Sequence, residues 1–160
     1  MKSPDDLRKL LAQKTWDKDI ALWIGPVQPM RALVAGAGQP IAVSELDILD
    51  LLSEQSLPDS DCEIGANIKI ALRADLQKKR TPNAGRRLLI VRSAALLTRY
   101  AVGLKEFFDW YLGDHAMVIL ILDGIPAQPR QIPAEIELRT DLLLQSFTSS
   151  DLAKNVFKAS

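Results

Sequence analysis

The chain has one cysteine and one histidine, Cys62 and His115, among its 160 residues. A single cysteine excludes an internal disulfide, which fits the reducing cytoplasm. One cysteine and one histidine are too few ligands for a zinc site of the usual Cys/His type. Long apolar runs are also absent, because the longest, AMVILIL at 116–122, is far shorter than the ~20 residues of a membrane helix. We therefore expect a cytoplasmic protein with no metal, no cofactor and no membrane partner.

The chain has no net charge, because its 20 basic side chains equal its 20 acidic ones in number. The two kinds of charge are nevertheless unevenly distributed along the chain. Residues 41–65 have no base and seven acids: Glu45, Asp47, Asp50, Glu54, Asp59, Asp61 and Glu63. Residues 66–105 have a single acid, Asp75, and ten bases: Lys69, Arg73, Lys78, Lys79, Arg80, Arg86, Arg87, Arg92, Arg99 and Lys105. This asymmetry indicates a basic surface for a polyanion, opposite faces that attract each other between copies, or a solvated helix face.

Short apolar runs alternate with segments of helical periodicity. The pattern predicts strands at 19–25, 40–45, 86–93, 116–124 and 136–144, and helices at 4–15, 30–38, 44–56, 64–80 and 94–114. A proline-rich loop is expected at 125–135, and a short C-terminal helix after a cap at Ser149 or Ser150. Because the best strands are continuously apolar, we predict a single α/β domain over 1–160, a three-layer sandwich with a mainly parallel sheet.

The segment IALWIGPVQPMRALVAG, residues 20–36, has the layout of a phosphate-binding loop, with an apolar strand, a glycine, a loop and a helical segment. A working loop reads G-x-x-x-x-G-K-[ST], where backbone N–H groups and the lysine hold phosphates and the hydroxyl holds Mg²⁺. Gly25 matches the first glycine. Met30 stands at the second glycine, Arg31 at the lysine and Ala32 at the hydroxyl.

Each replacement weakens the expected nucleotide site. The Cβ of Met30 disfavours the positive φ that a tight phosphate wrap needs. Pro26 and Pro29 each remove an N–H donor from the loop. Arg31 keeps a positive charge as a planar fork rather than a compact ammonium, and Ala32 has no metal ligand. The sequence thus predicts a degenerate nucleotide site without catalytic residues.

A second strand, in LLIVRSAALLTRY at 88–100, has lost its acids in the same way. In nucleoside-triphosphatases this strand ends in acids that organise Mg²⁺ and water. Here Arg92 and Ser93 follow the apolar run, and a guanidinium at the metal position repels Mg²⁺. Asp123, after the strand at 116–124, is a lone carboxylate that could assist a metal or cap a turn with Gly124.

The segment RRLLIVRSAALLTRYAVGLKEFFDWYLGDHAMVILILDG, residues 86–124, resembles the strand, helix and strand block of AAA+ and related P-loop ATPases. In that family the first of these strands ends in an acidic pair and the last in a polar sensor residue. The layout covers residues 18–124 and leaves 125–160 as a C-terminal extension. In size the chain is similar to the small P-loop proteins of BREX phage-defence systems.

The resemblance implies a non-catalytic subunit that serves as an assembly scaffold or adaptor in a larger complex directed at nucleic acid. Copies of the chain, or other protein subunits, would then be its partners. The charge asymmetry suits head-to-tail oligomers, in which the acidic face of one copy meets the basic face of the next. Arg31, Arg92 or Arg130 could also reach a neighbour's nucleotide, as arginine fingers do.

Two alternatives stay open at this stage. The first is a nucleic-acid-binding module that contacts DNA phosphates without reading sequence. Its residues would be those of the basic region around the turn KKRTPNAGRR: Lys69, Arg73, Lys78, Lys79, Arg80, Arg86, Arg87 and Arg99. The second is a working nucleoside-triphosphatase with atypical loops.

Overall fold

The structure is a computed structural model that describes residues 2–16, 19–37, 41–53, 60–80, 85–100, 102–113, 115–122 and 155–159. Strands span Asp19–Ile24 (β1), Ile41–Asp47 (β2), Arg86–Arg92 (β3), Ala116–Leu122 (β4) and Val156–Lys158 (β5). All four neighbouring pairs are parallel, and the order across the sheet is β2-β3-β4-β1-β5. Helices span Pro4–Leu11 (α1), Val27–Ala35 (α2), Ile48–Ser53 (α3), Asp61–Lys79 (α4), Ala95–Arg99 (α5) and Lys105–Trp110 (α6).

Helices cover both faces of the sheet, so the chain is a three-layer α/β sandwich, as the sequence predicts. On one face α1 and α2 pack through residues such as Leu7 and Met30 against strand residues that include Trp23 and Ile119. On the other face α3 to α6 pack against the alternate strand residues, such as Val118. Every residue of β4 is buried, because each face of this central strand has its own apolar layer.

The first helix begins where its sequence provides caps. Ser3 accepts a hydrogen bond from the Asp6 backbone N–H, and the Asp6 carboxylate accepts from the Ser3 backbone N–H, which together form a capping box. Pro4 stands at the first helical position, where its missing N–H has no helical partner in any case. These caps fix the N-terminal end of α1 beside β5, where the Lys2 N–H donates to the Val156 carbonyl oxygen.

Four predicted elements in the first half of the chain need corrected boundaries, and the first of them, the helix predicted at 4–15, ends at Leu11. The helix predicted at 30–38 begins at Val27, because Pro26 takes an extended conformation at the N-cap and Pro29 lies in the first turn, where no N–H is required. The strand predicted at 40–45 continues to Asp47, paired in register with Arg92. The overlapping helix predicted at 44–56 therefore starts only at Ile48, and the Asp47 carboxylate accepts the Leu49 N–H.

Two predictions in the second half also change. The helix predicted at 94–114 is interrupted between α5 and α6, where Gly103 takes φ +71°, a left-handed conformation that ends a helical run. The C-terminal helix is wrong for residues 156–158, which form β5 instead. Phe157 is buried against the α1 layer, so packing decides the conformation of these residues. The strand at 136–144, the proline-rich loop, and Ser149 and Ser150 lie outside the described residues.

Candidate functional site

The strand order places a topological switch point between β4 and β1. The chain leaves β1 towards β2 at one side of the sheet, and it continues from β4 to β5 at the other side. In open parallel sheets ligands bind outside the carboxyl ends of the strands at such a point. Ile24 and Leu122 lie side by side there, and β3 ends one strand further along. The three strand ends that the P-loop resemblance involves are therefore neighbours at one edge of the sheet.

The connection from β1 to α2 consists of Gly25 and Pro26 alone. The Gly25 N–H donates to the Leu122 carbonyl oxygen at 3.1 Å, so it continues the sheet. The Trp23 indole Nε1 donates to the Pro26 carbonyl oxygen at 2.8 Å and fixes the turn from below. Neither Pro26 nor Pro29 has an N–H to offer. A loop this short, with its one N–H already used, cannot surround a phosphate as a glycine-rich loop does.

The end of β5 packs directly on Gly25. The Ala159 N–H donates to the Ile24 carbonyl oxygen at 2.9 Å, which holds the Ala159 side chain over the glycine. A Cβ built on Gly25 would lie 2.6 Å from the Ala159 Cβ, and Gly25 has φ +133°. Both facts require glycine at this position for reasons of packing and backbone conformation. The match of Gly25 to a phosphate-loop glycine thus has a structural explanation.

The three degenerate motif residues lie within α2 and not in a loop. Met30 is completely buried in the core between α2 and the sheet. Arg31 points sideways to the edge of the sheet, where its Nη2 lies 2.5 Å from a carboxylate oxygen of Glu45 on β2. Ala32 is exposed on the outer side of the helix. None of the three side chains is directed at the carboxyl end of β1, so they form no joint site.

At the end of β3, Ser93 is buried and has φ +56°, an unusual conformation for a residue other than glycine. The turn lets the Ala94 N–H reach the Ile121 carbonyl oxygen at 3.3 Å. Arg92 is paired in register with Asp47, whose carboxylate already caps α3.

Among the described residues no group of three or more Asp, Glu, His or Cys side chains is placed to bind a metal. Asp123 and Arg130 lie outside the described residues.

The predicted nucleic-acid surface needs correction at Arg86 and Arg87, which are both only 6% exposed. Arg86 donates to the carbonyl oxygens of Leu11 and Gln13 at 2.7 and 2.8 Å, and its guanidinium lies 4.9 Å from the Trp16 ring centre. These contacts join the end of α1 to the sheet. Both guanidinium groups are buried, so these two arginines are not part of the exposed basic surface that the sequence predicts.

The remaining bases of that surface lie along α4. Lys69, Lys78 and Arg80 are exposed. Arg73 is half-exposed, stacks on the Trp110 ring at 5.0 Å and lies 3.5 Å from a carboxylate oxygen of Glu106. Lys79 pairs with Asp75 at 2.7 Å. The side chain of Arg99 lies outside the described residues. The exposed part of the predicted surface is therefore one helix.

A groove beside α2 was not predicted from the sequence. It has a volume of about 390 Å³, an apolar floor that includes Ile41 and Ile90, and the Arg31–Glu45 pair at its rim. Val43 faces it and is 46% exposed, although it lies in a strand. The signal in the sequence was the alternation of Ile41, Val43 and Glu45, which marks one face of an edge strand.

Within the part of the chain that the structure describes, no helix is both long and apolar enough to cross a membrane. Compared with known protein families, curated proteins and solved structures, the chain matches none of them.

Proposed function

We propose that the chain is a non-catalytic subunit with a P-loop-like, AAA+-like architecture that serves as an assembly scaffold or adaptor. The observation that carries this proposal is the closed connection from β1 to α2. Its only N–H is used in the sheet, Ala159 packs on its glycine, and the positions of the catalytic lysine and hydroxyl lie within a helix. The resemblance to small phage-defence P-loop proteins suggests a larger complex directed at nucleic acid as the place of assembly.

The charges on α4 support head-to-tail assembly. This helix has 19 residues and is about 28 Å long. Its first turn contains Glu63 and follows the acidic Asp47 and Asp50, at the carboxyl edge of the sheet. Its last turn and C-cap contain Lys78, Lys79 and Arg80, at the amino edge. Opposite charges at opposite ends of one molecule attract successive copies without a two-fold axis.

Light scattering on the full chain tests this proposal. We expect the mean mass to exceed that of one chain at low salt and to fall as ionic strength rises, because exposed charges are screened. The double variants Asp50→Lys with Glu63→Lys, and Lys78→Glu with Arg80→Glu, should each be monomeric. Addition of Mg²⁺ and ATP should leave every mass unchanged.

An equimolar mixture of the two double variants is the matched control. Asp50→Lys with Glu63→Lys makes both ends of the molecule basic, and Lys78→Glu with Arg80→Glu makes both ends acidic. Copies of one variant therefore repel each other, but the two variants attract each other. The mixture should therefore recover a complex larger than one chain. A monomer under all conditions, or an oligomer that both double variants retain, would contradict head-to-tail assembly by these ends.

A second candidate function is contact with nucleic acid through α4, favoured by the exposure of Lys69, Lys78 and Arg80 on this helix. Duplex DNA binding followed by fluorescence anisotropy should weaken by about 100-fold between about 50 and about 200 mM salt, for roughly four phosphate contacts. The triple variant Lys69→Glu, Lys78→Glu and Arg80→Glu should remove it. Different duplex sequences should bind alike, because phosphate contacts carry no sequence information.

The matched control reverses three exposed bases at the other face of the sheet, Arg8, Lys9 and Lys14, with the same change in net charge. This control should bind DNA within about threefold of the wild type if α4 is the contact surface, since long-range charge effects are screened. Equal losses in both triple variants would indicate a general charge effect and would reject α4 as the surface.

A further inference from the structure

Two guanidinium groups approach the same glycine at the amino edge of the sheet, away from the switch point. Arg80 follows the last turn of α4, and Arg87 is the second residue of β3. A Cβ built on Gly113 would lie 3.6 Å from Nη2 of Arg87 and 3.8 Å from Nη2 of Arg80. Both nitrogens thus face the same side of Gly113, with room for another atom in ordinary contact with each.

Among the described residues, Arg87 finds few partners for a buried cation. It is 6% exposed, its Nη2 donates to the Tyr111 carbonyl oxygen at a long 3.5 Å, and its buried Nη1 has no hydrogen-bond partner. The Tyr111 ring centre lies 5.1 Å from its guanidinium carbon. Burial raises the pKa of Tyr111 to about 12, against the opposing effect of Arg87, so the phenol stays neutral at physiological pH.

The part of the chain that the structure describes supplies no negative charge to these two guanidinium groups. Neither Arg80 nor Arg87 has an ion pair with any carboxylate in the described ranges. Two cations beside the same glycine repel each other, and a buried guanidinium with an unpaired N–H is unfavourable unless an acceptor, most effectively an anion, takes its hydrogen bonds. The neighbouring Arg86 also has a buried nitrogen without a hydrogen-bond partner, its Nη2, but two short hydrogen bonds to carbonyl oxygens hold its guanidinium.

We propose that Arg80, Arg87 and the backbone at Gly113 form a binding site for a phosphate group. A tetrahedral oxyanion accepts paired hydrogen bonds from a guanidinium fork, and a second guanidinium neutralises the rest of its charge. Arg80, which is exposed, admits the ligand, and Arg87 forms the inner wall. The phosphate is either a free ion or part of a nucleotide or nucleic acid. The site shares Arg80 with the basic end of α4, but the phosphate response is measured as Tm and assembly as mass, so either proposal can fail without the other.

Thermal unfolding of the full chain in inorganic phosphate, against chloride at equal ionic strength, tests the site. At a phosphate concentration about tenfold above the Kd, Tm should rise by about 3–6 °C. Arg80→Gln should require at least about tenfold more phosphate for the same rise. Because Arg80 is exposed, this variant should fold normally. Arg87→Lys, which keeps the charge but loses the planar fork, should weaken the response in the same direction.

Lys78→Gln is the matched control, since it removes an exposed base from the same helical turn and should respond as the wild type does. Phosphate also stabilises proteins by exclusion from their surface, and that effect would be equal in Arg80→Gln and in the wild type. An absent rise, or one that Arg80→Gln retains in full, would overturn the proposal.

Asp114 lies outside the described residues, and its variant Asp114→Asn separates an external ligand from an internal counter-ion. The phosphate-dependent rise should persist in this variant. If the wild type shows no rise and Asp114→Asn gains one, the Asp114 carboxylate is the counter-ion and the proposal is rejected.

Competition against a labelled DNA duplex then identifies the source of the phosphate. Displacement of the duplex by inorganic phosphate, lost in Arg80→Gln, assigns the site to the nucleic-acid backbone. A phosphate-dependent rise in Tm without displacement assigns it to a free phosphate or a nucleotide.

Discussion

Gly25→Ala should lower the free energy of unfolding by about 2–4 kcal/mol. A left-handed backbone costs a residue with a Cβ about 1–2 kcal/mol, and overpacking in a dense core costs about 1–3 kcal/mol. Both apply here, because Gly25 has φ +133° and its Cβ would meet the Ala159 Cβ at 2.6 Å. Chemical denaturation followed by tryptophan fluorescence measures the change, since Trp23 lies next to the affected turn.

Gly103→Ala is the matched control for this substitution. Gly103 also has a positive φ, +71°, but a Cβ there would meet nothing within 4 Å. Its cost should be near 1 kcal/mol, from backbone strain alone. Ala159→Gly in the Gly25→Ala background should restore the part due to the clash. If Gly25→Ala costs no more than Gly103→Ala, β5 does not pack on the end of β1 as described.

The parallel sheet could be predicted because each of its central strands is recognisable from its own short stretch of sequence. The runs IALWI, LLIV and MVILIL are apolar at every position, which only a strand buried on both faces requires. The helix at 64–80 was recognisable in the same way, from the spacing of Ile64, Ile68 and Leu72. Its extension to Asp61 follows from the Ser60 cap, whose side chain accepts the Glu63 N–H.

The elements that the sequence did not predict depend on contacts between distant residues. Val156–Lys158 is too short to show a period, and it becomes a strand because β1 offers Leu22 and Ile24 as partners. The pair Arg86 and Arg87 looks like an exposed basic turn beside lysines. Their burial depends on the rings of Trp16 and Tyr111, which approach from two different elements.

Part of the candidate site could likewise be predicted from local sequence, and part depends on contacts between distant residues. The sequence alone shows that Arg31 and Ala32 stand where a phosphate loop has a lysine and a hydroxyl. The sequence does not show the length of the loop, because two prolines near a glycine are compatible with either a loop or a helix start. Burial of Met30 decides between them, since its contact with the sheet favours an α2 that begins at Val27.

Restoring the motif in place should not restore nucleotide binding. The triple variant Met30→Gly, Arg31→Lys and Ala32→Thr has the motif sequence of a phosphate loop, but all three positions lie within α2. In calorimetry with Mg²⁺ and ATP we expect no heat of binding beyond that of the wild type. We also expect a loss of about 3–6 kcal/mol in the free energy of unfolding, because a buried methionine leaves a cavity and glycine weakens a helix interior.

The double variant Arg31→Lys and Ala32→Thr separates stability from binding. Both side chains are at least partly exposed, and the Arg31–Glu45 pair is a surface ion pair that lysine can also form, so its cost should stay below about 1 kcal/mol. This folded variant has the lysine and the hydroxyl, yet its loop from β1 to α2 still has two residues. It should bind Mg²⁺ and ATP no better than the wild type does. Heat of binding that persists when Arg80→Gln is added, in the double variant or in the wild type, would show that the turn opens into a phosphate cradle. Hydrolysis of ATP by the same protein would then make the chain a working nucleoside-triphosphatase.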